Sequence, residues 1–178
     1  MHHHFYAITG GPASGKTTLL EGLEQQGYPF VEEVARRIIK DQVANRGLAL
    51  PWADKQAYAD RMWQESIDAY SLAEIDYADQ ACFFDRGILD TIAYMIMEDL
   101  QFPRNYIKVL NSITYKKVFI LPPWIEIFEQ DSERKQSWQE AVITYNALKE
   151  CYIQHGYTPI EVPTGTVEDR IDFILEAL

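Results

Sequence analysis

An α/β fold built on a five-stranded parallel sheet is predicted by three features of the sequence. Short apolar runs alternate with longer amphipathic segments, which is the pattern of parallel strands joined by helices. Each run is continuously apolar, as suits a strand covered by helices on both faces. A glycine-rich segment separates the first run from the first helix, where such sheets receive ligands.

The elements follow in order. Strand candidates occupy residues 5–9, 28–32, 81–85, 116–121 and 157–162. Leu19, Leu20 and Leu23 mark the first helix, and a second follows Glu33. Pro51 can open a long helix in which Ala59, Met62, Trp63, Ile67, Tyr70, Ala73 and Tyr77 keep a 3/4 spacing. This excursion, residues 51–78, can wall a cleft. A helix starts near Gly87. Ser137 with Glu140 has capping-box spacing ahead of Trp138, Ala141, Val142, Tyr145, Leu148 and Tyr152, and Gly156 ends that helix. Thr166 with Asp169 repeats the device before Val167, Ile171, Ile174, Leu175 and Leu178, so the last helix packs on the sheet. No internal repeat, linker or shift of composition marks a second domain, so residues 5–178 read as one domain behind a tag-like or disordered end with His2, His3 and His4.

Composition narrows the function classes. Of 178 residues 47% are hydrophobic and 24% charged, which excludes a disordered or collagenous chain. Lys plus Arg number 16 against 27 Asp plus Glu, and the net charge of -11 repels nucleic acid and anionic membrane surfaces. A local anion site is compatible with that field, because short-range donors outweigh screened distant charges. Cys82 and Cys151 lack metal or disulfide spacing and read as buried thiols of a reducing compartment. No apolar run reaches the roughly 18 residues of a membrane span and nothing resembles a signal peptide, so a cytoplasmic protein is expected. His155 is the only histidine beyond the N-terminal run, which leaves Ser/His and two-histidine metal chemistry unsupported.

Chemistry enters with Gly10, Gly11, Pro12, Ala13, Ser14, Gly15, Lys16 and Thr17, which fit GxxxxGK[ST] between an apolar run and an amphipathic helix. A triphosphate needs converging N–H donors, and glycines let the backbone curl into a nest at the positive end of a helix. Lys16 can reach the β- and γ-phosphates of ATP, and the Thr17 hydroxyl suits a Mg²⁺ ligand. The bland alternative is a glycine-rich turn without ligand.

Other candidates surround this loop. Asp85 ends the third strand run and can be a Mg²⁺ carboxylate, a helix cap near Gly87, or both. Arg86 can clamp a phosphate or substrate oxygen, or pair structurally with a carboxylate. Glu32 and Glu33 point to opposite faces if the second strand continues through them. Glu33 can orient an acceptor hydroxyl or take its proton, or form an ordinary surface pair with Arg36. Residues 124–137 suit a lid carrying Arg134 or Lys135 to the phosphates, or a solvated charged helix. Trp52 and Trp124 can stack on a ring substrate or pack structurally.

On these residues the chain resembles the predicted-ATPase family of small P-loop proteins grouped under the AAA label, and more distantly nicotinamide riboside kinase and nucleoside or nucleotide kinases. The similarity runs over residues 5–178, through Gly10–Thr18, Glu33-Val34-Ala35-Arg36-Arg37, Pro51-Trp52, Phe84-Asp85-Arg86-Gly87, the run 119–124 and Glu161-Val162-Pro163. It implies a three-layer P-loop fold of strand order 2-3-1-4-5 that binds ATP and Mg²⁺. The phosphates would lie on Gly10 to Thr18, the metal at Asp85, and Arg134 in a lid. Pro163, Thr164 and Gly165 would lie beside the adenine, and Glu33 and Arg36 on the acceptor side. Two adjacent acids and the Asp85-Arg86-Gly87 stretch depart from the kinase relatives.

The leading expectation is a kinase that transfers the γ-phosphoryl of ATP to a small molecule such as a nucleoside or nucleotide. The alternative is an ATPase acting as a switch regulated by a protein partner. The length leaves no room for a full AAA+ motor, and no NKxD stretch marks a guanine-specific GTPase.

Overall fold

The computed structural model describes residues 4–12, 14–130 and 137–178. In chain order the elements are β1 (Phe5–Gly10), α1 (Lys16–Gln25), β2 (Phe30–Val31), α2 (Val34–Ala44), α3 (Lys55–Asp76) and β3 (Cys82–Asp85). They continue with α4 (Ile88–Met97), α5 (Tyr106–Leu110), β4 (Lys117–Leu121), α6 (Ile125–Gln130), α7 (Trp138–Gln154), β5 (Ile160–Glu161) and α8 (Val167–Glu176). All strand pairs are parallel, and the order is β2-β3-β1-β4-β5, as the family resemblance implied.

Strand alternation sorts the core into two layers. Phe5, Ala7, Cys82, Phe84, Val118 and Ile120 face one side, under Ile38 of α2, Trp63 of α3, Ile92 of α4 and Tyr152 of α7. Tyr6, Ile8, Phe83, Phe119 and Leu121 face the other, under Leu19, Leu20 and Leu23 of α1 and Ile171 and Ile174 of α8. The first layer is aromatic: Phe5 meets Tyr70 edge-on at 5.3 Å and Phe84 meets Tyr115 at 5.3 Å. Each such side chain taken from water contributes about 1.5–3 kcal/mol.

The caps read from the sequence are present. Glu140 N donates to Ser137 Oγ at 3.2 Å and Ser137 N to Glu140 Oε2 at 2.6 Å, while Asp169 N donates to Thr166 Oγ1 at 3.1 Å. Gly156 follows α7 with φ 85°, the left-handed conformation that favours glycine.

Three boundaries differ from expectation. The long helix begins at Lys55, not Pro51, because Asp54 accepts the Ala57 N–H at 2.9 Å and acts as N-cap. Pro51 lies instead in a turn closed by Ala53 N to Leu50 O at 3.0 Å. The edge strands β2 and β5 hold two residues each, since each pairs on one side only. Glu32 and Glu33 therefore lie beyond β2, and strand alternation does not decide their directions. Among the described residues no helix is long and apolar enough to cross a membrane.

Candidate functional site

The glycine-rich loop leaves the carboxyl end of the central strand and enters α1. Gly10 has φ 148°, and a Cβ there would stand 2.7 Å from Leu121 O. Gly15 has φ 78° and caps α1 without a side-chain hydrogen bond, so the first N–H groups of that helix lack a side-chain cap. Ser14 Oγ donates to Gly11 O at 2.9 Å and Lys16 Nζ to Gly10 O at 3.4 Å, ties that curl the loop.

From behind, Arg170 of α8 donates through Nη2 to Ser14 O at 3.0 Å. A planar peptide directs its C=O and N–H oppositely, so this bond aims the Gly15 N–H away from Arg170. A Cβ on Gly15 would meet Arg170 Nη1 at 2.7 Å, so glycine is required by space as well as by φ. Arg170 is 2% exposed, its Nε has no hydrogen-bond partner, and its guanidinium lies 5.5 Å over the Trp124 ring. Burial lowers its pKa.

Beside the loop a second network gathers on Asp90, at the third position of α4 and 8% exposed. Its Oδ1 accepts from Thr9 Oγ1 at 2.6 Å and Arg86 Nη1 at 3.0 Å. Its Oδ2 accepts from Tyr152 Oη at 2.7 Å and Gly87 N at 3.1 Å. Arg86 Nε donates to Glu33 Oε1 at 2.7 Å, and Arg36 lies 4.0 Å from Glu33 Oε2. Arg86 has φ 72°, rare for a residue with a side chain; its N–H donates to Ile8 O at 3.0 Å and helps hold that geometry.

These charges set one another's protonation. Burial, then Arg86, press Lys16 down to about 8 against the attraction of Asp85, Glu33 and Asp90. Burial acts to raise Glu33, but Arg86 and Lys16 overcome it and hold the carboxylate below its ordinary range. Asp85 moves upward, first through burial and despite Lys16. Its Oδ1 is buried with no hydrogen-bond partner, and Asp85 and Thr17 line one cavity of about 300 Å³. Two such oxygen donors fit a hard cation. Mg²⁺ is such a cation: it takes one or two protein oxygens and completes its shell with phosphate and water.

A larger cavity of about 510 Å³ opens against Pro12, Asp85, Arg86 and Asp90 and runs between α3, α4 and α7. Glu33 lines both cavities.

The structure thus brings together Lys16, Glu33, Asp85 and Arg86, with Arg36 and Thr17 in the smaller cavity. Thr18 lies on α1 behind the loop and is exposed. Pro163 and Thr164 are exposed and Gly165 half-buried in the turn ahead of α8, the helix that supplies Arg170. Trp52 is 66% exposed and lines neither cavity, and Trp124 stacks on Arg170. Ala13, Arg134 and Lys135 lie outside the described residues. Asp90 and Arg170 escaped the sequence reading. The signals were an acid three residues after Gly87 and a cation on the apolar face of the last helix, between Val167 and Ile174.

A family model described as an AAA domain matches residues 5–170. The chain belongs to the AAA domain family. No curated protein matches the sequence. Solved structures share the fold of this AAA domain. The NadR protein in complex with NR aligns with TM-score 0.74 and 20% identity over 98% of this chain and 51% of that one. Deoxyadenosine kinase from M. mycoides with bound dATP aligns with TM-score 0.60 and 17% identity over 98% of both chains. Thymidylate kinase from Candida albicans gives TM-score 0.66 and 14% identity over 98% of this chain and 90% of that one. The AAA domain chain spans about half the length of the NadR protein.

Proposed function

We propose that the chain is a Mg²⁺-dependent phosphotransferase that moves the γ-phosphoryl group of ATP to a hydroxyl or phosphate group of a small molecule. The observation that carries this reading is the larger cavity, which opens beside the phosphate loop onto Asp85, Arg86 and Asp90. A hydrolase needs space for water there, whereas about 510 Å³ suits an organic acceptor.

In this reading Gly10 to Thr18 cradle the triphosphate and Lys16 meets its β- and γ-oxygens. Thr17 and Asp85 hold Mg²⁺, which supplies charge neutralisation when bound. Glu33, kept ionised, accepts a hydrogen bond from the acceptor and orients it, while Arg86, bonded to Glu33 and Asp90, holds that carboxylate in place. Arg36 flanks Glu33 from the smaller cavity. Arg134 would act from the lid and Pro163, Thr164 and Gly165 beside the base.

The test is ADP formation from Mg²⁺-ATP, alone and with a panel of nucleosides, nucleotides and riboside vitamins, using Lys16→Ala as the blank. A large, Lys16-dependent rise with one acceptor class is expected. A flat panel over a slow basal rate overturns the reading in favour of a partner-regulated ATPase.

A further inference from the structure

We propose that the acceptor is an uncharged or cationic hydroxyl compound bearing a flat ring, not a phosphorylated one, and that Tyr94 hydrogen-bonds it. The proposal rests on the phosphotransferase reading and narrows it.

Charge is the first argument. Glu32, Glu33, Asp85, Asp90, Glu98 and Glu140 line the larger cavity, and Arg86 is the one Lys or Arg among the lining residues described. Arg86 is already committed to Glu33 and Asp90. A phosphomonoester brought into this space adds up to two negative charges with no spare cation among the described lining residues to meet them. Arg36, Arg37 and Lys40 line the smaller cavity instead, where Arg37 is tied to Glu65 at 3.0 Å.

The walls give the second argument. Tyr58, Phe84, Tyr94 and Tyr115 present rings to the cavity, and Tyr58 meets Tyr94 edge-on at 5.7 Å. Such walls receive a flat ring in preference to an aliphatic polyol.

The third is an unused polar atom. Tyr115 Oη accepts from Ile88 N at 3.1 Å, whereas Tyr94 Oη is buried with no hydrogen-bond partner. A buried hydroxyl without a partner is costly, and a ligand can supply the missing bond. Asp90, Tyr94 and Glu98 succeed one another at four-residue steps along α4 and its cap, each step rising about 6 Å. An acceptor whose hydroxyl lies near Arg86 and Asp90 therefore meets Tyr94 one helical turn away with its other end, the reach of a ring joined to a sugar.

Two measurements test this. Acceptor kinetics with Mg²⁺-ATP would compare adenosine, cytidine, thymidine and a cationic pyridinium riboside with the 5′-monophosphate of each. At least one unphosphorylated compound is expected to exceed its monophosphate by tenfold or more in kcat/KM. Tyr94→Phe should raise the KM of that acceptor about tenfold, more than it lowers kcat, while its unfolding temperature without ligand stays equal or rises. A monophosphate as the better acceptor overturns the charge argument. An unchanged KM, or a lowered unfolding temperature, overturns the role of Tyr94. No response to either set overturns the phosphotransferase reading itself.

Discussion

Arg170 and Ser14 are 156 positions apart in sequence, yet the Nη2 of one donates to the carbonyl of the other at 3.0 Å. The bond orients a single peptide of the glycine-rich loop, and no carboxylate among the described residues balances the guanidinium that makes it.

Arg170→Met keeps the aliphatic bulk against Trp124 and removes a buried charge that no carboxylate among the described residues balances. Relief of the desolvation cost of that charge offsets the lost bond to Ser14 O, worth about 1.5–3 kcal/mol. Stability should therefore hold or rise, while affinity for ATP and for inorganic triphosphate falls roughly tenfold, about 1.4 kcal/mol. Calorimetric titration of both ligands checks this; unchanged affinity would reduce Arg170 to packing.

In the proposed function Lys16 should make nucleotide binding pH-dependent. Its pKa is pressed to about 8, so phosphate oxygens that favour the ammonium should draw in a proton between pH 8 and 9 and almost none at pH 6.5. Titrations in buffers of different ionisation heat measure that uptake, which Lys16→Met should abolish. The stability effect has the matching sign. Between pH 8 and 10.5 the unfolded chain holds more protons at this position than the folded one, so the free protein gains stability there as pH rises, relative to Lys16→Met.

Asp85→Asn separates metal from nucleotide. Mg²⁺-dependent turnover should fall at least a hundredfold while ATP binding without metal falls far less. Because the folded pKa of Asp85 is raised, its charge weakens the free protein above the ordinary carboxylate range, so the variant should be more stable at pH 7 and lose that advantage toward acid. Equal turnover would leave Asp85 without a metal role.

Asp90→Asn leaves one acceptor oxygen and turns an NH2 group toward two of the four donors. Breaking a buried charged network costs about 3–5 kcal/mol. At about 2–4 °C per kcal/mol for a chain of this size, melting should occur roughly 6–20 °C lower. Thermal denaturation decides it, and a shift under 2 °C would show that the four bonds contribute little.

Much of this architecture was legible in the sequence because the signals were local. Five apolar runs gave five parallel strands, and Ser137 and Thr166 capped the helices they preceded. The start of α3 was misplaced because Pro51 and Asp54 both resemble helix openings, and only Asp54 has a carboxylate to accept the Ala57 N–H. Glu33 and Arg86 were recognised individually, but their ion pair joins positions 53 apart and depends on β2 lying beside β3. Asp90 was hidden within an apolar helix, and its role is defined by Thr9 and Tyr152, which no nearby sequence announces.

Asp90 also gives the cleft a common origin. Through Thr9 it grips the strand from which the glycine-rich loop springs, and through Arg86 it grips the cation beside the larger cavity. The strand ahead of the glycine-rich loop and the arginine of the larger cavity are thus pinned to one carboxylate oxygen. If the chain transfers phosphoryl groups as proposed, the gap between donor and acceptor is gauged from a single datum, with fewer tolerances to accumulate.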